Sequence, residues 1–303
     1  MNRLLVIGSL NMDTLIELSR APEQGETVLG YGCMRQPGGK GANQAYAAGK
    51  LGGQVAMIGM VGSDDLGRLL KENLISVGVD ISGVETAQDQ PTGQAFVVLE
   101  QTGENRIMVI PGANSELYTS VIDLHTELFS SCDAVVLQLE IPMETVLYAA
   151  KKAKEKGKLV ILDPAPAAGM LPDELLEFVD IIKPNETELE MISGMKVETY
   201  SDVIKAAETL LKKGVKVVVA TRGKNGAIAV SKGYQEHFPA YKTPVVDTTA
   251  AGDSFTAAFS LHVSKDNFRQ AVLYANRVAS KVIQKKGAQA SIPAKEEVSI
   301  DEM

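Results

Sequence analysis

The sequence has no tryptophan, only two cysteines and only three histidines in 303 residues. Cys33 and Cys132 match no metal-ligand spacing, and a reduced cytoplasmic setting is the simplest account of so few thiols. Positive charge is also short: 30 basic residues stand against 38 acidic ones, a net charge of −8. That balance argues against nucleic acid or an anionic membrane as the main partner. An anionic substrate would need a local positive site, which backbone amides and a metal ion can supply. No apolar run approaches the roughly 20 residues needed to span a bilayer. Met1-Asn2-Arg3 leads directly into a strand-like segment with no signal peptide visible, so a cytoplasmic protein is expected. Internal repeats, low-complexity tracts and linkers are absent too. What remains is an ordinary globular composition, 45% hydrophobic and 22% charged, in a chain long enough to bury a sizeable core.

Short apolar runs alternate with helical periodicity. Strands are expected at 4–8, 55–60, 134–139, Leu159–Leu162, 181–183 and 215–220, and helices at 65–77, 143–156 and 203–213. Strand followed by helix implies an α/β fold with a mostly parallel sheet and right-handed crossovers. The alternation is interrupted by a hairpin, 95–100 with 106–110, around Thr102-Gly103-Glu104. With strands at 14–18 and 26–31 it would form a small separate sheet, a candidate lid over a cleft. The tail after Pro293 is charged and expected to fray.

Two stretches stand out chemically. In Val246-Asp247-Thr248-Thr249-Ala250-Ala251-Gly252-Asp253-Ser254-Phe255, small side chains precede one carboxylate and a helix that looks buried. Open amides at a helix start attract an anion, so Asp253 is either a capping carboxylate or a base beside a phosphate. In Gln36-Pro37-Gly38-Gly39-Lys40-Gly41-Ala42-Asn43, three glycines in four positions allow close backbone approach to a ligand. The spacing is not that of a Walker A loop, and no G-x-G-x-x-G follows the first strand. Asn11 and Asp13, just past that strand, are turn formers or hydroxyl binders.

Taken together, Gly38-Gly39-Lys40-Gly41-Ala42-Asn43 and Asp247-Thr248-Thr249-Ala250-Ala251-Gly252-Asp253 resemble the two signatures of the ribokinase-like (phosphofructokinase-B type) carbohydrate kinases. Gly8-Ser9-Leu10-Asn11-Met12-Asp13, Gln138-Leu139-Glu140, Asp163-Pro164-Ala165-Pro166, Pro184-Asn185-Glu186-Thr187-Glu188 and Lys286-Gly287-Ala288-Gln289 extend the resemblance over nearly the whole chain. It implies a three-layer α/β/α domain over 1–303 with a β lid from about 14–35 and 93–111. It also implies ATP-dependent phosphorylation of a sugar, here the 5-hydroxyl of D-ribose. Asp253 matches the base, and the amides of Ala250, Ala251, Gly252 and Asp253 match the anion hole. Asn11, Asp13, Gly38, Gly39, Lys40, Asn43 and Glu140 match sugar-binding positions. Asn185, Thr221, Arg222, Gly223, Lys224, Asn225, Gly226, Gly252 and Asn276 match nucleotide-binding positions. Glu188 matches the acid that organises Mg²⁺, and Asp247, Thr249, Val282, Lys285, Gly287 and Ser291 match a monovalent cation site, usually K⁺. A homodimer through the lid is implied as well. His125, His237 and His262 match no functional position and read as surface or packing residues. The rival readings are a sister kinase for deoxyribose, fructose or a nucleoside such as adenosine, and a catalytically silent sugar-binding regulator. A nicotinamide dehydrogenase is disfavoured by the missing phosphate fingerprint.

Overall fold

The computed structural model of the chain describes residues 1–102 and 105–298. Its elements begin with β1 (Leu4–Ile7), β2 (Asn11–Leu18), β3 (Gly30–Gly38), α1 (Lys40–Lys50), β4 (Val55–Gly62), α2 (Asp65–Ile75) and β5 (Asp80–Ala87). There follow β6 (Gly93–Glu100), β7 (Asn105–Ile110), α3 (Thr119–Leu124), α4 (Thr126–Ser131), β8 (Ala134–Leu137), α5 (Met143–Glu155) and β9 (Leu159–Leu162). The last third holds α6 (Asp173–Phe178), β10 (Ile181–Ile182), α7 (Glu186–Ser193), α8 (Tyr200–Lys212) and β11 (Val217–Thr221). It closes with β12 (Ala227–Ser231), β13 (Tyr234–Phe238), α9 (Ala251–His262) and α10 (Phe268–Val282).

Period-two side-chain alternation in apolar strands builds two cores on one sheet. In β1, Leu4 and Val6 pack with α1, α2, α9 and α10. Leu5 and Ile7 pack on the opposite face with α3, α4, α5, α6, α7 and α8. The result is three layers around a nine-stranded sheet ordered β13-β12-β11-β10-β9-β8-β1-β4-β5. Pairing is parallel from β11 across to β5, and β12 and β13 add an antiparallel edge. The strand order reverses direction at β1, between β8 and β4. A crevice opens at such a switch point, beyond the strands' carboxyl ends.

The second sheet has the order β3-β2-β6-β7. Of the strand expected at 26–31, only Gly30 and Tyr31 are in a strand, as the start of β3. A turn closes instead, with the Glu26 N–H donating to the Glu23 carbonyl at 3.0 Å, and the partner of β2 is Gly30–Gly38. Its glycines and Pro37 are poor strand formers, and cross-strand pairing overrides that preference. β6 and β7 pair antiparallel as expected, while Gly103 and Glu104 of their connection lie outside the described residues. The tail also differs from expectation. Lys295–Glu297 form a short 3₁₀ turn and Val298 packs into the core, because Glu297 accepts from the Ala294 N–H at 2.7 Å. Residues 299–303 lie outside the described residues.

Candidate active site

The crevice is walled by what leaves the strands: Ser9 after β1, Gln138 to Glu140 after β8, Asp163 after β9, Lys183 to Asn185 after β10 and Thr221 at the end of β11. The start of α9 faces them. Gly41, in the first turn of α1, lets that helix dock on the end of β1: a side-chain carbon there would lie 2.7 Å from the Gly8 carbonyl carbon. The clearance provided by the glycine-rich stretch is thus filled by the chain's own backbone and by Asp13. Gly38 leaves room for the Asp13 carboxylate, whose Oδ2 would lie 2.1 Å from an added side-chain carbon.

Asp253 is buried in the first turn of α9. Asn43 Nδ2 donates to its Oδ2 at 2.9 Å and Gln44 Nε2 to its Oδ1 at 3.1 Å. Burial pushes its pKa up; Lys40 opposes that and Asp163 adds to it. A buried carboxylate with raised proton affinity has the character of a base. Ala250, at φ 59°, is the one non-glycine residue with positive φ among the described residues, and this left-handed corner turns the chain into α9. The Ala251 N–H donates to the Thr248 carbonyl at 3.2 Å. The amides of Ala250, Gly252 and Asp253 have no acceptor among the described residues. Three free amides at a helix start form a cradle for an anion.

The candidate sugar residues converge from three elements. Glu140 Oε2 accepts from Ser9 Oγ at 2.5 Å and from the Lys40 N–H at 3.0 Å, so it also satisfies the start of α1. Asn11 Oδ1 accepts from Asn114 Nδ2 at 2.8 Å. Asp13 is raised from 3.8 to about 7, by burial first and then by Glu140 and Asp253. Burial alone would lower the Lys40 pKa, but Asp253, Asp163, Glu140 and Glu188 more than offset it and hold the ammonium charged. Asn11, Asn114 and Glu140 also line a cavity of about 370 Å³ beside Val109 and Pro111.

On the other side of Asp253 lies a cavity of about 730 Å³, the size of a cofactor site. Asn185, Glu188, Thr221, Gly223, Lys224, Gly226, Gly252 and Asn276 all line it, and its apolar end is made by Tyr241, Val245, Ala279 and Ile283. Arg222 and Asn225 do not. Arg222 Nε pairs with Glu186 Oε1 at 2.7 Å, and the Asn225 carbonyl bonds the His237 ring at 2.7 Å. Asn185 and Glu188 form a capping box, each side chain bonded at 2.8 Å to the other's N–H. The N-x-x-E spacing is therefore also a helix-start signal. Burial raises the Glu188 pKa and Lys183 opposes that.

Of the six expected cation-site residues, the structure joins three: Asp247 accepts from the Thr249 N–H, Thr249 Oγ1 and the Gly287 N–H at 2.9, 2.6 and 2.9 Å. The Val282 carbonyl is used by the Lys285 N–H, the Lys285 side chain pairs with Glu297, and Ser291 Oγ bonds the Ala288 carbonyl. Among the described residues, no group of three or more His, Cys, Asp or Glu side chains is arranged to hold a metal ion. No described helix is long and apolar enough to cross a membrane.

Several polar residues at the site carried no role in the sequence reading. Gln44 bridges Asp253 and Asp163, donating to Asp163 Oδ2 at 2.9 Å and accepting from Gln138 Nε2 at 2.6 Å. Gln289 Nε2 holds Asn43 through its Oδ1 at 3.0 Å. Lys183 Nζ lies 3.0 Å from Asp163 Oδ2. Opposite charges ending the adjacent apolar strands β9 and β10 were the available signal for that pair.

A nucleotide-sized cavity, a buried carboxylate and an amide cradle, set at the switch point of a doubly wound sheet, define a phosphotransferase-like site. The pfkB family carbohydrate kinase model matches residues 1–295, and the chain belongs to that family. Within it, the chain is 38% identical over 295 residues to a ribokinase of Haemophilus influenzae, covering 97% of this chain and 96% of the relative. It is 36% identical over 293 residues to a deoxyribokinase of Salmonella typhi, covering 96% of each. The structure of an Arabidopsis thaliana ribokinase complexed with ribose and ATP superposes with a TM-score of 0.92 at 36% identity, covering 98% of this chain and 97% of that one.

Proposed function

We propose that the protein transfers the γ-phosphoryl group of ATP to the 5-hydroxyl of D-ribose, giving D-ribose 5-phosphate and ADP. The observation that carries this reading is the Asp253 carboxylate, buried between two amide donors at the amide-lined start of α9. Asp253 takes the proton of the sugar hydroxyl as the new O–P bond forms and the bond to the bridging oxygen of ADP breaks. The free amides of Ala250, Gly252 and Asp253 steady the charge on the migrating group without reorganising. The Ala251 amide would join them only by giving up Thr248. Asn11, Asp13, Gly38, Gly39, Lys40, Asn43 and Glu140 hold and orient the sugar. Carboxylates and amides of this kind accept from hydroxyls, so loss of a hydroxyl is penalised.

Asn185, Thr221, Gly223, Lys224, Gly226, Gly252 and Asn276 bind the nucleotide, with the base against the apolar end of the cavity. Arg222 and Asn225 shape that loop from behind. Glu188 is a hard oxygen donor on the cavity wall and fits Mg²⁺ held through water, which would supply positive charge to the phosphates. The oxygens around Asp247, Thr249 and Gly287 fit a K⁺ ion, with backbone carbonyls near Val282, Lys285 and Ser291 as further donors. The second sheet acts as a lid within a single domain, and its exposed side chains Tyr31, Met34, Ile107 and Val109 support a homodimer through it. A cytoplasmic setting fits the thiol content.

Initial rates of ADP formation on ribose, 2-deoxyribose and adenosine, with Mg²⁺ and K⁺ present, test the assignment. Ribose should be fastest. Equal or faster turnover of 2-deoxyribose would make this a deoxyribose kinase, and ribose binding by calorimetry without any ATP consumption would make it a regulator.

A further inference from the structure

The ion pair at the ends of β9 and β10 lies beside the reacting centre and has no part in the proposed transfer so far. Lys183 is buried, 3% exposed, and a side-chain carbon placed on Gly252 would lie 3.5 Å from its Nζ. The ammonium therefore stands over the first turn of α9, on the wall of the nucleotide cavity. Asp163 is held from several sides: its Oδ2 accepts from Gln44 Nε2 at 2.9 Å and Thr256 Oγ1 at 3.0 Å, besides facing Lys183 Nζ at 3.0 Å. Its Oδ1 is buried and has no hydrogen-bond partner.

Stability does not explain this pair. Buried ion pairs can often be replaced by neutral groups at no loss, because desolvation offsets the attraction. Lysine carries three N–H donors, and Asp163 is the only polar side-chain partner of Lys183 among the described residues. Donors are left over, and they border the same space as the free amide of Gly252. Three carboxylates, those of Asp163, Asp253 and Glu188, also line that cavity, and of the four lysines on its wall, Lys40, Lys183, Lys224 and Lys242, only Lys183 is buried. A triphosphate entering it needs a fixed cation among them.

We propose that Lys183 is a phosphate-binding residue of the transfer step: aimed by Asp163, its ammonium meets the oxygens of the γ-phosphoryl group opposite the amides of α9. Asp163 is then a positioning residue, acting through Lys183. The inference rests on phosphoryl transfer being the reaction, and its test separates the two claims.

The variants are Lys183→Met, Lys183→Arg and the double variant Asp163→Asn/Lys183→Met, which leaves no uncompensated buried charge and so keeps the fold. Ribose-dependent ADP formation gives kcat and KM. Calorimetry without sugar compares ADP with a β,γ-imido ATP analogue, both with Mg²⁺. In the Met and double variants kcat should fall on the order of 10²–10³-fold with the KM for ribose unchanged. Affinity for the imido analogue should fall about tenfold more than affinity for ADP, the size of one charge-assisted hydrogen bond. Lys183→Arg should restore part of both. A folded double variant with the wild-type kcat, or with equal losses for ADP and the analogue, overturns the role of Lys183 alone. Failure of the wild-type protein to form ADP with any sugar would instead overturn the transfer reading.

Discussion

Asp13 and Asp253 are both pushed toward protonation, by burial first, with different consequences for folding and for turnover. The Asp13 carboxyl titrates at about 7 in the fold against 3.8 ordinarily. Between those values the folded state binds more protons than the unfolded chain, so stability declines as pH rises through that window. Asp13→Asn removes the penalty, and its melting temperature should gain on the wild type between about pH 5 and about pH 8. A gain that shrinks with rising pH would contradict the assignment. With Asp253 as the proposed base, its raised pKa should move the acid limb of kcat/KM above the ordinary aspartate value, because the protonated carboxyl cannot take the sugar's proton. Asp253 and Asn43 were legible in the sequence because each sits in a motif with its neighbours. Gln44 was not. Its partners Asp163 and Asp253 are 119 and 209 residues away, and no local pattern marks an amide that bridges two distant carboxylates.

In the proposed site, the junction of β3 and α1 is the element that sets sugar recognition. A side chain on Gly38 would meet the Asp13 carboxylate at 2.1 Å, so Gly38→Ala should displace that carboxylate. The KM for ribose should rise at least about tenfold, as for loss of one good polar contact, with ADP affinity unchanged. An unchanged KM would remove Asp13 from the sugar site. Elements such as β1 and β9 were readable because an unbroken apolar run leaves a buried strand as the simplest solution. β3 was not, since Gly30, Gly32 and Pro37 disfavour a strand until β2 pairs with it. The six-residue helices α3, α4 and α6 are too short for periodicity to show, and they form because tertiary packing buries them.

At the scale of the molecule, one large sheet supplies the site at its switch point and a second sheet stands beside it with apolar residues in the open. Ile107 and Val109 are 58% and 48% exposed, an unstable arrangement for a small sheet unless a partner covers it. The wild type should elute as a dimer in gel filtration, and a double Ile107→Asp/Val109→Asp variant as a monomer. A wild-type monomer would refute the proposed interface. The layered α/β architecture was visible in the alternation of short apolar and amphipathic segments. The second cavity wall was not, because Tyr241, Val245 and Ile283 come from segments without a motif. In the proposed mechanism these features serve one carboxylate, and the most direct test is steady-state ADP formation on ribose by Asp253→Asn, with ADP binding measured in parallel. The rate should drop on the order of 10²–10⁴-fold while ADP binds as before. A variant that forms ADP at the wild-type rate would show that Asp253 is not the base.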